Sequence, residues 1–534
     1  MRTDSIGTRL IDAANRHQDR MALVIGGVEY SYRDLFDTAC TLAAELQRTT
    51  APDAAIGILG QQSFSSYVGI IAAMLCGRPY VPVNPFEPYE RQRMTFELLP
   101  PTVMVCDPAT LEAATRHQED FGGAPAIYIA DDVATVRKLP DHAVPATKLG
   151  AFTPSGTLDS STYVLFTSGT TGKPKGVRIL QRNVLAYMAA MDRIMPLRPD
   201  DRCTQLFALT FDLSVHDTFY TWLSGASVWV MLMEDQLDRL AFVRKHGITS
   251  WYSVPVTAAN AQRLGQITPN AAPTLRYSSF CGEALPTSVA LAWQEACPNA
   301  KIFNLYGPTE ATLSLTYCEF DPKSSMVDSF TVPIGRAQHG QFAVAVDDKG
   351  LPVPPGAEGE LLLGGTQVSP GYTNNAEAIA TRFFEGEVGD SGQTRWYRTG
   401  DWVLNHPEHG LIFKRRMDDQ MKVGGYRVEM QEIEAVLREA SGTATVAVVP
   451  WQLNGVGGAN AVVGFVCGAT LPHKDILRRC QDFLPKALVP RKLIDLEDMP
   501  TNASGKIDRK VLKAMLEAPQ PAAGAKPEAA RRVA

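Results

Sequence analysis

Short apolar runs rich in β-branched residues recur along this chain with helical stretches between them, and no other feature restricts its fold as much. AAIGILG (54–60), TVMVCD (102–107), AIYIAD (126–131), SVWVML (227–232) and WYSVP (251–255) read as strands. Residues 34–46 and 65–76 read as helices. Such alternation predicts an α/β fold of parallel sheets covered by helices, because each parallel pair needs a long crossover that packs back on the sheet. With 534 residues the chain has the length of two to four units of roughly 150 residues each.

The texture changes twice. Between residues 342 and 365 the apolar runs are broken by Pro and Gly, as in LPVPPGAEGELLLGG, which predicts a hairpin-rich β subdomain. After Asp418 strand-like and helical pieces resume (EMQEIEAVLREA, ATVAVVP, AVVGFVC, KDILRRCQDFL), enough for a small domain of about 100 residues. The last stretch, 517–534, is rich in Ala and Pro, lacks aromatic residues and predicts a disordered tail.

Charge and cysteine usage narrow the functions. The 51 basic and 57 acidic residues are dispersed, for a net charge of −6, and no Lys/Arg block marks a nucleic-acid surface. Nine cysteines with no CxxC pair argue against a zinc or dithiol motif and predict the reduced thiols of a cytoplasmic protein. HPEH (406–409) sits in a Pro-containing loop and is not read as a metal site. The N-terminus lacks a signal-peptide pattern, and YVGIIAAMLCG (67–77) is about half the length of a membrane span. A soluble protein without membrane insertion is expected.

The segment YVLFTSGTTGKPKGV (163–177) carries the densest chemistry. An apolar strand runs into Thr167, Ser168, Gly169, Thr170, Thr171, Gly172 and Lys173, with Pro174, Lys175 and Gly176 behind. Three glycines free the backbone to wrap a polyanion, and hydroxyls and lysines supply donors and charge, which suits a triphosphate. It is not the P-loop of nucleotide triphosphatases, since two residues separate Gly169 from Gly172 and Pro174 follows Lys173. By itself such a loop is equally a flexible surface turn.

Six further segments follow in order: FDLSV (211–215), NLYGPTEAT (304–312), YRTGD (397–401), RRMDDQMKVGGYRVEMQEIE (415–434), LPKALVP (484–490) and NASGKIDRK (502–510). With the loop, they resemble the adenylate-forming superfamily of acyl-CoA synthetases, luciferases and peptide-synthetase adenylation domains, over roughly residues 20–515. SFCGEALP (279–286), KIFNLYGPTEAT (301–312), KVGGYRVEMQEIE (422–434) and SGKIDRK (504–510) look most like stand-alone D-alanine:carrier-protein ligases.

The resemblance implies an N-terminal AMP-binding core (1–417) of two helix-covered sheets plus a β subdomain, then a small mobile α+β domain (418–516) carrying Lys506. It implies ATP and Mg²⁺, and a carboxylate that attacks the α-phosphate, releases pyrophosphate and leaves an acyl-adenylate. Phosphoryl transfer asks a protein mainly for positioning and charge neutralisation. By resemblance, Thr167 and the loop from Ser168 to Lys173 hold the phosphates. Tyr306 faces adenine, with Gly282, Glu283, Asn304, Leu305, Gly307 and Pro308 around it. Glu310 and Thr309 lie near Mg²⁺, whose preference is for hard oxygen donors. Asp401 takes the ribose hydroxyls, supported by Arg416, and Lys506 bridges the substrate carboxylate and the nucleotide. Lys506, Thr167 and Glu310 form the expected catalytic set.

Asp212 stands where amino-acid-activating relatives pair with the substrate's ammonium, and a buried cation needs such an anion. The alternative for Asp212 is an N-cap on the helix that follows. Phe211, Leu213, His216, Thr257, Ser279, Cys281, Leu305, Leu313 and Ser314 map around the substrate. This mixture implies a small or polar amino acid, D-alanine among the candidates, with His216 a hydrogen-bonding spacer. Asp418 falls at the family's hinge, and the loop 422–427 with Gly424 and Gly425 is expected to slide toward the thiol's entrance. Arg415 replaces the usual Gly before Arg416, so its side chain either alters the hinge or adds a phosphate contact.

No GGxS phosphopantetheine site, HHxxxDG condensation motif or GxSxG elbow occurs, so the acceptor is expected on a separate phosphopantetheinylated carrier protein. Two rivals are an acyl-CoA synthetase, which Asp212 argues against, and a retired scaffold, which intact Lys506, Asp401 and Glu310 argue against.

Overall fold

The structure, a computed structural model, describes residues 4–139, 142–167, 174–324, 330–373, 375–392, 394–417, 420–423, 426–453, 458–501 and 507–517. Two large sheets have parallel centres and antiparallel edges. The first orders its parallel strands Ser161–Thr167, Tyr80–Val83, Ile56–Leu59, Val103–Cys106 and Ala126–Asp132. The second runs Lys301–Tyr306, Tyr277–Cys281, Ser250–Ser253, Arg202–Gln205, Ser227–Val230 and Met21–Ile25. All five runs read as strands lie in these sheets.

The two predicted helices are Tyr32–Thr49 and Phe64–Leu75. The first starts earlier than its apolar pattern because Ser31 and Asp34 form a capping box, each side chain accepting the other's backbone N–H (3.1 and 3.0 Å). The second is apolar on every side, and all of its residues are buried, as such a helix must be. It belongs to one continuous cluster that also holds Ile58 and Val105 of the first sheet and Val228 and Phe303 of the second. The two sheets thus share a core, so the strand ends that face each other cannot drift independently.

Gln341–Val346, Glu358–Gly365, Thr394–His406, Phe383–Gly386 and Gly410–Arg416 form an antiparallel sheet. The β subdomain therefore extends well past the break-rich stretch at 342–365. Its register sets Asp401 opposite Arg416 and Trp402 opposite Arg415. Neighbouring residues on a strand face opposite ways, so the two arginines part company. Arg415 lies 5.3 Å over the Trp402 ring, a stacking role that neither sequence alternative named.

The C-terminal domain has a mixed sheet of Gln420–Val423, Tyr426–Glu429, Val446–Leu453, Ala459–Cys467 and Leu493–Leu496. Helices Met430–Ser441 and His473–Gln481 pack on one face through Ile433, Leu437, Ile476 and Cys480. Arg509–Glu517 covers the other through Leu512 and takes in Glu517, the first residue assigned to the tail. Residues 518–534 lie outside the described residues. No described helix is long and apolar enough to cross a membrane.

Candidate active site

The carboxyl ends of strands Tyr80–Val83, Ser161–Thr167, Ser250–Ser253, Tyr277–Cys281 and Lys301–Tyr306 open on one cavity of about 480 Å³, the place where open α/β sheets bind ligands. The β subdomain lends it Asp401 and Arg416, and the C-terminal hairpin reaches in with Lys422, Tyr426 and Arg427.

At one end a pair of charges is built into the frame. Arg416 Nη1 donates to Asp401 Oδ1 at 2.9 Å, and the Tyr306 hydroxyl donates to Asp401 Oδ2. Asp401 is buried, and burial raises its carboxyl above the ordinary range while Arg416 and Tyr306 offset part of that. Tyr306, Gly307, Pro308 and Thr309 line the cavity beside this pair, with Gly282 and Glu283 across from them. Gly307 can carry no side chain, because a Cβ would stand 2.6 Å from Ser314 Cα. That close approach holds a strained turn in which Thr312 and Leu313 take φ of 58° and 66°. Gly282 (φ 96°) likewise leaves room for Lys422, whose Nζ would lie 2.7 Å from an added Cβ.

Asn304 does not reach the cavity. It is 1% exposed and donates to the Val332 and Pro333 carbonyls at 3.0 and 2.9 Å, anchoring the strand beneath Tyr306.

Glu310 lies one step behind the wall. Tyr372 Oη donates to its Oε1 at 2.8 Å and Arg427 Nη1 to its Oε2 at 3.0 Å. Burial works to raise this carboxyl, yet Arg427, a backbone N–H and Tyr372 outweigh it and hold the group below its ordinary range. Mg²⁺ usually takes one or two protein carboxylates and completes its shell with phosphate and water. Glu310 with the Thr309 hydroxyl fits that donor set, and Arg427 must first release Oε2. Among the described residues no cluster of three or more His, Cys, Asp or Glu suits a metal held by protein alone, and HPEH forms none.

At the other end Asp212, Phe211, Leu213, Thr257, Cys281 and Leu305 line the wall. Asp212 occupies a helix N-cap position but makes no capping bond, so the structural alternative weighed for it is absent. Burial raises its carboxyl, opposed by the Thr309 hydroxyl, Lys422 and Arg427. Behind this wall, out of reach of the cavity, lie His216, Ser279, Leu313 and Ser314, all nearly fully buried. His216 Nδ1 and Tyr187 Oη share a 2.8 Å hydrogen bond, and its ring meets Tyr252 edge-on at 4.6 Å. Burial pushes the imidazole down to about 3, which keeps it neutral. Ser279 donates to Met195 Sδ, and Ser314 Oγ accepts from Gln338. The Cys281 thiol is pushed up to about 11 by burial and is inert as a nucleophile.

Thr167 lines the cavity beside Pro174. Strands Ser161–Thr167 and Lys175–Leu180, on either side of the glycine-rich segment, pair antiparallel with Thr167 opposite Lys175. Its residues Ser168, Gly169, Thr170, Thr171, Gly172 and Lys173 lie outside the described residues, as do Asp418, Gly424, Gly425 and Lys506. Thr501 and Ile507 bridge each other across Lys506, and Ile507 packs within the C-terminal domain. No described residue after Arg427 lines the cavity.

Tyr372 and Tyr187 escaped the sequence as site residues, and Lys422 and Arg427 were expected only as the ends of a loop sliding toward the thiol's entrance. Lys422 and Arg427 stand in a quoted motif, but only the folded hairpin shows which acids they meet. Tyr372 and Tyr187 lie in stretches with no motif at all.

The AMP-binding enzyme family matches residues 10–373 of the chain. The chain belongs to this family. Within the AMP-binding enzymes it is 28% identical to the D-alanine--D-alanyl carrier protein ligase of Lacticaseibacillus rhamnosus, over 95% of this chain and 98% of that protein. It is 29% identical to the malpinin synthetase of Mortierella alpina over 94% of its length, but spans only 6% of that protein. Among solved structures it superposes on the Vibrio cholerae adenylation domain AlmE, in complex with glycyl-adenosine-5'-phosphate, with a TM-score of 0.84 and 29% identity, covering 96% of this chain and 97% of that one. The fold is that of the adenylation domains, and the chain is an adenylate-forming enzyme.

Proposed function

We propose that this enzyme activates a small amino acid as its adenylate and passes the aminoacyl group to the phosphopantetheine thiol of a carrier protein. The observation that carries the amino-acid reading is Asp212, a carboxylate on the cavity wall that caps no helix. A cation delivered by substrate is the partner such a group lacks. The side-chain pocket is shallow, because His216, Ser279, Leu313 and Ser314 are packed behind Cys281, Leu213 and Leu305 and cannot swing aside without opening the core. The likeness to a D-alanine ligase and to a domain solved with glycyl-adenylate supports the same reading.

In the first step the amino acid's carboxylate oxygen bonds to the α-phosphorus of ATP, and the bond to the pyrophosphate oxygen breaks. Asp401 and Arg416 hold the ribose, Tyr306 takes the adenine face, and Thr167 with its loop orients the phosphates. Glu310 and Thr309 would hold Mg²⁺, which would supply neutralisation of phosphate charge. Lys506 steadies the two anions as they meet. In the second step the thiolate attacks the acyl carbon and AMP leaves.

The present arrangement suits the second step. Lys422 and Arg427 line the cleft and Arg427 holds Glu310. Adenylation requires Arg427 to release Glu310.

The test is ATP/pyrophosphate exchange with a panel of amino acids including glycine, both alanine enantiomers and propionate, followed by thioester formation on a phosphopantetheinylated carrier or on coenzyme A. Small amino acids should dominate exchange. Equal activation of propionate and alanine refutes the role of Asp212, and transfer to coenzyme A alone refutes the carrier.

A further inference from the structure

Four arginines line the cavity: Arg91, Arg239, Arg416 and Arg427. Three are matched to carboxylates. Arg91 pairs with Glu432 at 2.7 Å, Arg416 with Asp401 at 2.9 Å, and Arg427 with Glu310 at 3.0 Å. Arg239 is not. Its Nη2 reaches only the neutral Gln236 Oε1, at 3.3 Å, and its shielded Nε has no acceptor among the described residues. Burial lowers its pKa with no opposing carboxylate near enough to restore it. A guanidinium held half-desolvated on a cavity wall without a counter-ion is a standing cost unless an anion arrives.

Position narrows which anion. Arg239 follows strand Ser227–Val230 of the second sheet, whose neighbour Arg202–Gln205 leads into Phe207, Ala208 and Thr210, which also line the cavity. Thr167, expected to take the triphosphate with the loop that follows it, belongs to the first sheet. The nucleotide end has its own cations, already paired. An acceptor carried on phosphopantetheine brings one more anion, the phosphate at the far end of its arm from the thiol. We infer that Arg239 binds the phosphate of the acceptor's phosphopantetheine arm, a reading that rests on the proposed transfer to such a thiol. A planar guanidinium with free N–H groups is the side chain best shaped for that contact.

The experiment measures transfer of the aminoacyl group from pre-formed adenylate to 4'-phosphopantetheine and to pantetheine, which differ only in the phosphate, in the wild type and in Arg239→Gln. The wild type should show a KM for phosphopantetheine roughly 10-fold to 100-fold below that for pantetheine, the span expected for a charge-assisted contact. In Arg239→Gln the two KM values should converge, the phosphopantetheine value rising to meet the other. Pantetheine turnover reports whether the variant is folded. Holo-carrier and coenzyme A, assayed as separate acceptors, identify the source: a rise for holo-carrier supports the inference, and a rise for coenzyme A alone overturns it. It is also overturned if the wild type does not distinguish the two small thiols, if the variant loses both equally, or if the KM for ATP rises instead. Should the wild type acylate no thiol, the proposed transfer fails first.

Discussion

The two ends of the cleft treat their carboxylates differently. At the nucleotide end Asp401 and Glu310 are each buried against an arginine and a tyrosine hydroxyl. At the amino-acid end Asp212 forms no ion pair among the described residues. Paired charges hold their geometry before any ligand arrives, so they serve to orient. An unpaired charge costs stability in the free protein and is tolerated where a ligand supplies the missing partner. The contrast separates a frame for the nucleotide from a receptor for the substrate.

Removing the receptor charge should have the largest effect. Asp212→Ala should raise the KM for the amino acid by about 10²-fold to 10³-fold in pyrophosphate exchange, the scale of breaking a buried pair, with the KM for ATP little changed. A parallel rise in both would make Asp212 part of the frame and erase the distinction. Next comes Lys506→Ala, which should slow exchange roughly 10²-fold or more while transfer from pre-made adenylate proceeds normally. Equal loss in both half-reactions would contradict a role confined to adenylation.

Arg427→Gln sharpens the contrast from the other side. It strips Glu310 of its cation only while the hairpin is in the cleft, so transfer from pre-made adenylate should fall about 10-fold to 100-fold and exchange should not. Unchanged transfer would show that Arg427 does not hold the hairpin in place. Since Glu310 is held below its ordinary range, this pair contributes above the usual carboxylate pKa and is lost only at more acid pH. The Arg427 effect should therefore be flat between about pH 6 and 8.

The smallest effect concerns the pocket's back wall. His216 binds a proton near 3 when folded and near 6.5 when unfolded, so its neutral burial costs stability as pH falls between those values. Between pH 7 and 5 the wild type should lose about 2 kcal/mol more than His216→Asn, read from urea unfolding at each pH. Parallel pH profiles would place the imidazole in contact with water.

The parallel sheets, the change to antiparallel sheet and the separate C-terminal domain could all be anticipated, because each follows from local patterning, whereas the order of strands within each sheet could not. Helix starts were less legible: Ser31 and Asp34 extend a helix beyond its apolar stripe. The site divides in the same way. Asp212, Tyr306, Thr309, Asp401 and Arg416 announce themselves within motifs and line one cavity. Asn304, Ser279 and His216 were expected at its surface, yet lie behind it: Asn304 and Ser279 sit two residues back from the strand ends Tyr306 and Cys281 that line the cavity, and His216 opens a helical stretch, His216–Tyr220, buried in the core. Nothing local distinguishes a residue that lines a pocket from one that backs it.

The amino-acid sequence by itself determined the fold class and, through the resemblance its motifs carry, the adenylate chemistry, since pattern and motif are short-range features of the chain. Only the tertiary structure decided which charge meets which: Arg427 on Glu310, Arg415 on Trp402, Arg239 on no carboxylate. Coulomb interactions depend on distances between residues far apart in the chain, and those distances exist only once the sheets have packed.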